Sequence, residues 1–263
     1  MKGALIGQGR EAEVFAWGEG QALKLFRPNF NSAAQEAERT RAAHAAGAPA
    51  PAVYGLLTEY GRTGIIFERV VGRSMLGVLI MQPWQTRALA CALAELHAQM
   101  HACSAPELPS FNERLRRDIE AADLPEGARR AALTALTRLP EGGQLCHGDF
   151  HLDNVLLTAN GAKVIDWVNA TRGHPLADVA RTHLLLTLGE PPPNVVLRLL
   201  IQLMRREFTA QYERRYFALR PNFTLAALRQ WELPVLAARV AENVNGERPR
   251  LLARIQTTLT EVT

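Results

Sequence analysis

Alternating apolar and polar positions open the chain. Between Ala4 and Phe26 they predict three short antiparallel strands, with Ala12 to Trp17 and Gln21 to Phe26 turning around Gly18-Glu19-Gly20. Asn31-Ser32 offers a cap for a helix running through Gln35, Glu36 and Arg41 to Ala46, and Gly47, Pro49 and Pro51 stop it. Two more alternating runs, Val53 to Tyr60 and Gly64 to Val71, are joined by Gly61-Arg62-Thr63. These segments predict a small sheet carrying a single helix.

Past Gly72 the hydrophobic period lengthens. Leu89, Leu93, Leu96 and Met100 recur at helical spacing behind Pro83. One hairpin interrupts the helical patterns: Val155 to Thr158 and Lys163 to Ile165 flank Asn160-Gly161, a two-residue turn signal. Pro191-Pro192-Pro193 breaks the chain before a helix with Leu197, Leu200, Met204 and Phe208 on one face, and helical segments continue to the carboxyl terminus. The pattern predicts a two-lobed α+β fold. Residues 1–71 are expected to form an amino-terminal lobe, and residues 73–263 a larger helical lobe. No internal repeat is evident.

Composition narrows the class. A chain of 263 residues with 48% hydrophobic content can bury a sizeable core. The formal charge is +4, but Arg and Lys interleave with Asp and Glu and form no basic block, which argues against nucleic acid as a partner. No apolar run reaches the roughly 18 residues of a membrane span, and Met1-Lys2-Gly3 lacks a signal-peptide layout. A cytoplasmic protein without a membrane partner or an obligatory protein partner is expected. Cys91, Cys103 and Cys146 are odd in number and without CxxC spacing, so reduced thiols are expected in place of a disulfide framework or a zinc site.

The chemistry concentrates around the hairpin. Leu145-Cys146-His147-Gly148-Asp149-Phe150-His151-Leu152-Asp153-Asn154-Val155-Leu156 precedes it, and Val164-Ile165-Asp166-Trp167 closes it. A carboxylate, an amide and a second carboxylate thus fall on neighbouring loops. Phosphoryl transfer asks for such a set: it needs Mg²⁺ bridging phosphates, an in-line hydroxyl and fixed charges around a loose transition state. Asp149 would orient the acceptor hydroxyl and take its proton. Asn154 and Asp166 would be the metal ligands. Any one of the three alone would be an ordinary capping or turn residue.

The segment resembles the HGDxxxxN…IDW signature of the aminoglycoside phosphotransferase and choline kinase family, relatives of the protein kinases, and the likeness covers most of the chain. That resemblance implies a phosphate-covering loop at Gly7-Gln8-Gly9-Arg10-Glu11-Ala12-Glu13-Val14, a GxGxxGxV pattern with Ala12 in place of the third glycine. It continues as a strand, unlike a dinucleotide-binding loop, and lacks the GKS or GKT of a Walker A loop. Ala22-Leu23-Lys24 matches the family's AxK, with Lys24 reaching the α- and β-phosphates. Aligning Gly47 with the glycine that ends the family's first helix makes Glu36, ahead of Glu38, the ion-pair partner of Lys24. Phe67-Glu68-Arg69-Val70 resembles the hinge, where backbone groups of Glu68 and Val70 would meet the adenine edge. Val14 and Ala22 would pack above the base and Leu156 below it.

Asp178 resembles a family position where a buried carboxylate braces the catalytic loop. His147 and His151 would anchor that loop. His97 and His101 lie one helical turn apart, but without a zincin glutamate or an evident third ligand they suggest a packed or capping pair. Trp167 follows the metal-binding aspartate and has packing as its ordinary role.

Only a short stretch separates Asp166 from Asp178, and it holds no APE-like element, so a small acceptor is favoured over a protein. Aminoglycoside kinases line their groove with carboxylates, whereas the distal helices here carry more arginine than glutamate. A choline-type acceptor would want an aromatic cage, for which Tyr212, Tyr216, Phe217 and Trp231 are present. The expected activity is transfer of the γ-phosphoryl group of ATP or GTP, with Mg²⁺, to a hydroxyl of a small molecule. An antibiotic-modifying enzyme and a choline-type or other metabolite kinase are both compatible with the resemblance. A nucleotide-binding pseudokinase scaffold and a protein kinase of atypical shape are the alternatives.

Overall fold

In the computed structural model, residues 2–59, 61–188, 194–244 and 246–262 are described, those at 196, 197, 261 and 262 by their backbone alone. The predicted strand end at Tyr60, the triple-proline break and the side chain of Leu197 lie outside the described residues.

The opening alternation folds into strands β1 (Lys2–Gln8), β2 (Ala12–Trp17) and β3 (Gln21–Phe26), followed by helix α1 (Ala33–Ala45), β4 (Val53–Glu59) and β5 (Arg62–Glu68). All strand pairings are antiparallel, in the spatial order β1-β2-β3-β5-β4. Strand β3 is therefore central, and Lys24 is paired with Val14 on one side and Ile65 on the other. Helix α1 packs across the sheet over a core of Ala12, Phe26, Ala33, Ala37 and Ile65.

The ends of α1 differ from one another. Ser32 stands at the amino terminus, yet its side chain makes no capping bond and its hydroxyl is buried without a partner among the described residues. Only its carbonyl serves the helix, accepting from Glu36 N–H at 2.9 Å. The predicted side-chain cap is therefore replaced by a backbone one. At the other end Gly47 adopts φ +87°, and two bonds, Gly47 N–H to His44 O and Ala48 N–H to Ala43 O, complete a Schellman motif.

Beyond Gly72 the second lobe comprises β6 (Arg73–Ser74), α2 (Met75–Met81), α3 (Thr86–Met100), α4 (Phe111–Ala121), α5 (Glu126–Thr137) and β7 (Gln144–Cys146). The hairpin follows as β8 (Val155–Thr158) and β9 (Gly161–Val164), then β10 (Thr171–Gly173) and α6 (Pro175–Leu188). Last come α7 (Val195–Leu219), α8 (Leu225–Arg229), α9 (Glu232–Val240) and α10 (Arg248–Val262). The whole is the expected two-lobed, protein-kinase-like α+β fold. Its large core unites Leu93, Met100, Leu145, Phe150, Trp167 and Leu176.

Two features escaped the hydrophobic pattern. Strand β6 joins β8 and β9 in a three-stranded sheet, and β7 pairs with β10. At two or three residues, β6, β7 and β10 are too short to show alternation. The second feature is uneven cover along α7: on the expected face Leu200 is more than half exposed, as are its neighbours Leu199 and Leu203, while Met204 is half-buried and Phe208 is buried.

Replacing Gly47 with Ala meets no steric obstacle, since nothing lies within 4 Å of the added carbon, so its cost is the left-handed backbone alone. A loss of about 1 kcal/mol, or roughly 2–4 °C in Tm, is expected by thermal denaturation. An unchanged Tm would mean that the Schellman closure is not under conformational strain.

Candidate active site

Lys24 projects from the central strand with its ammonium largely withdrawn from water, where an unpaired charge would be costly. It donates to both oxygens of Glu36, at 2.7 and 2.8 Å, and to Asp166 Oδ1 at 3.1 Å. Burial disfavours the ammonium, but Glu36 and then Asp166 more than offset this and raise its pKa. The same burial pushes the Glu36 carboxyl up to about 7, against the pull of Lys24. Glu38 is exposed, so the helical phase of α1 selects Glu36.

Asp166 lies in the other lobe, and Lys24 therefore joins the two. Its backbone is left-handed, at φ 66° and ψ 57°, an uncommon state for a non-glycine residue, and its carboxylate is 41% exposed. Just behind it Trp167 is fully buried and donates its indole N–H to Val164 O at 2.8 Å.

The loop from His147 to Asn154 is held beside Asp166 by one backbone and one side-chain hydrogen bond to Ile165. Ile165 N–H donates to Asn154 O at 2.9 Å, and His147 Nε2 donates to Ile165 O at 3.1 Å. Since His147 Nδ1 accepts from Asp149 N–H, the imidazole is neutral with its proton on Nε2. Asn154 is buried, and its amide nitrogen donates to Asp149 O at 2.9 Å, which leaves its amide oxygen as the free acceptor. Asp149 itself sits 3.5 Å from His151 Nε2 and 3.4 Å from Arg181 Nη2. Burial opposes its charge, yet the bond from His151 and the Arg181 guanidinium hold its pKa well below the ordinary value.

Beneath this loop lies a polar core. Asp178, fully buried on α6, accepts His147 N–H at 2.6 Å and Gly148 N–H at 2.8 Å. It also accepts from His97 Nε2 at 3.1 Å and His101 Nε2 at 3.4 Å, while Tyr212 and Tyr216 hydroxyls donate to the Nδ1 atoms at 2.6 and 2.7 Å. Four N–H donors thus stabilise one buried carboxylate. Burial penalises that charge, but the histidine bonds prevail and hold Asp178 well below the usual range. Gly148 can bond there because it adopts φ +77°; a Cβ would lie 2.5 Å from Asn169 O.

The sequence profile of the phosphotransferase enzyme family matches residues 2–231. The chain belongs to this family. A thermostable mutant of aminoglycoside phosphotransferase APH(4)-Ia, solved as a ternary complex with AMP-PNP and hygromycin B, superposes with a TM-score of 0.66 at 18% identity, covering 98% of this chain and 92% of that one. A choline/ethanolamine kinase family protein from Mesorhizobium loti gives 0.62 at 19% identity, over 97% and 87%. Amicoumacin kinase hAmiN, in complex with AMP-PNP, Ca²⁺ and Ami, gives 0.60 at 13%, over 99% and 88%. Acyl-CoA dehydrogenase family member 11 of Gallus gallus is 29% identical over 178 residues, which is 58% of this chain. The chain spans only 23% of that curated relative's length.

In this chain the remaining anticipated residues fall as follows. Gly7 pairs with Val14, and Gly9 N–H closes the β1–β2 turn onto Ala12 O. Ala22 is buried, whereas Val14 and Leu156 are half-buried. Glu68 has its N–H committed to Ala52 O, and its carboxylate takes Ala52 N–H and Lys163 Nζ at 3.1 and 3.2 Å, so the side chain clamps β5 to β9 across the lobes. Val70 is half-buried just past β5. Tyr212, Tyr216 and Trp231 are buried in the core, so they cannot form an aromatic cage facing solvent. His97 and His101 are packed together as expected, with ring centroids 4.1 Å apart, and both in addition bond Asp178. The sequence also gave no warning of Arg181, one helical turn after Asp178, which is nearly fully buried between Asp149 and Glu242.

Both core imidazoles are held neutral, and burial is the first cause; it depresses His97 and takes His101 to about 3. The unfolded chain protonates these rings below about 6.5 and the native one does not, so U binds more protons and stability rises with pH across that window. The urea midpoint is expected to hold above pH 6.5 and to fall as pH drops towards 3. His101→Gln should lessen the slope by up to about 1.4 kcal/mol per pH unit. Equal slopes in parent and variant would contradict the neutral imidazole.

Proposed function

We propose that this phosphotransferase moves the γ-phosphoryl group of ATP or GTP, with Mg²⁺, onto a hydroxyl of a small acceptor. The observation that carries the reading is the Lys24 ammonium bonded at once to Glu36 and Asp166, beside a loop presenting Asn154 and Asp149. The nucleotide complexes of similarly folded kinases, with ADP or AMP-PNP, support a nucleotide co-substrate.

The donor set fits a hard divalent cation. A part-exposed carboxylate at Asp166 and the amide oxygen of Asn154 are oxygen ligands, with no thiolate or imidazole between them, as Mg²⁺ prefers. When bound, the ion would neutralise charge on the β- and γ-phosphates. Lys24 would then hold the α- and β-phosphates, kept charged and aimed by Glu36. Asp149, ionised at neutral pH by its neighbours, would accept a hydrogen bond from the acceptor hydroxyl and orient it in line. A carboxylate of such low basicity takes the proton late, which suits a loose transition state in which the nucleophile gains little bonding.

The acceptor is small. Between Asp166 and α6 the chain makes only a helical turn at Trp167–Asn169 and the short β10, which leaves no platform for a peptide. Burial of the three aromatics disfavours a choline-type cage.

Asp149→Asn is expected to lower kcat by at least about 10²-fold while nucleotide affinity, measured by calorimetry with Mg-AMP-PNP, stays nearly unchanged. Full turnover in that variant would remove Asp149 from the reaction. Lys24→Met should instead weaken nucleotide binding, and equal affinity in parent and variant would dissociate the ion pair from the phosphates.

A further inference from the structure

A cleft of about 700 Å³ opens between α1, α4 and the segment that follows α9. Its wall residues Arg114, Asp118 and Glu242 also border a small neighbouring cavity with Gly148, which precedes Asp149 in the chain, and Arg181, which reaches Asp149 at 3.4 Å. The cleft is thus where an acceptor would approach the loop.

Its charges are unevenly committed. Asp118 accepts from two guanidinia, Arg114 at 3.4 Å and Arg117 at 3.2 and 3.3 Å. Glu242 likewise serves both Arg181, at 2.6 Å, and Arg239. Among the described residues, Glu113 is the one carboxylate on this wall with no ion pair. A polycation would therefore find one free carboxylate and several guanidinia. Arg39, reaching in from α1, bonds the carbonyl of Val168 and meets no carboxylate within ion-pair distance among the described residues. Burial, then Arg114 and Arg117, push its pKa below the ordinary value, as expected of a cation in a positive field. The Ser110-capped amino terminus of α4 faces the same cleft and adds its dipole to that field.

We propose that the acceptor bears, besides its hydroxyl, an anionic group, a carboxylate or a phosphate ester, seated between Arg39 of the amino-terminal lobe and Arg117 of α4. This inference rests on the phosphotransferase reading for the word acceptor, but the binding it describes is measurable without turnover. Arg39 lies one helical turn from Glu36, so an anion bound there would draw α1 against the turn that follows Asp166. Acceptor binding would thereby reinforce the geometry of Lys24, and Arg39 and Arg117 would determine specificity.

The test titrates the full chain, loaded with Mg-AMP-PNP to fill the nucleotide site, with glycerate, glycerol 3-phosphate, glycerol and kanamycin. At least one of the two anions should bind more tightly than glycerol or kanamycin, and which of them does so separates a carboxylate from a phosphate ester. Arg117→Gln should weaken that anion by about tenfold, the loss expected for one charge-assisted contact. Arg117 is 73% exposed, so this variant does not depend on a rebuilt core; Arg39→Lys, which keeps a charge, should lose less than Arg39→Gln. Preference for glycerol or kanamycin, or anion binding indifferent to Arg117, would overturn the proposal. Arginine-dependent anion binding without any ADP formed from Mg-ATP would leave it standing and count against phosphoryl transfer alone.

Discussion

A single ammonium in a dry place organises this molecule. Lys24 has little water around it, and a lone charge there would be untenable, so the fold must bring carboxylates to it. Glu36 comes from the helix laid over the sheet, and Asp166 comes from the second lobe. The pair of contacts fixes the phase of α1 and the closeness of the lobes. Glu68 and Lys163 add a more exposed ion pair that joins β5 to β9.

The second lobe solves the converse problem, a buried anion. Asp178 is isolated from solvent and is stabilised by four N–H groups, two from the loop backbone and two from imidazoles. Those imidazoles are in turn oriented by Tyr212 and Tyr216, so helix α7 is tied through α3 to the backbone immediately before Asp149. The loop is thus rigid where it would position a hydroxyl. The side chain of Asp149 is held in turn by His151 and Arg181.

Much of this was legible in the sequence because the informative residues lie close together along the chain. His147 to Asn154 and Val164 to Trp167 flank one hairpin, whose two-residue turn, at Ala159-Asn160 and so one residue before the expected Asn160-Gly161, fixes how those stretches meet. Lys24 could be singled out because Ala22-Leu23-Lys24 matches the family's AxK on a predicted strand. The polar core was not legible: His97 and His101 meet Tyr212 and Tyr216, each 115 residues away, and no local pattern encodes which helix lies opposite. Arg181 was hidden for the same reason, since its partners Asp149 and Glu242 are distant in sequence. Helical periodicity likewise placed Leu200 on a face with Phe208 but could not say that the face is covered at one end and open at the other.

The central claim is that these charges serve a magnesium-bound triphosphate whose terminal group leaves for a hydroxyl. Phosphorus-31 NMR of the chain with Mg-ATP and a pool of small hydroxylated compounds examines this most directly. The account predicts growth of ADP resonances matched by a new phosphomonoester signal, both lost when the metal is chelated. ATP that stays intact, or that yields inorganic phosphate alone with every compound present, would contradict it.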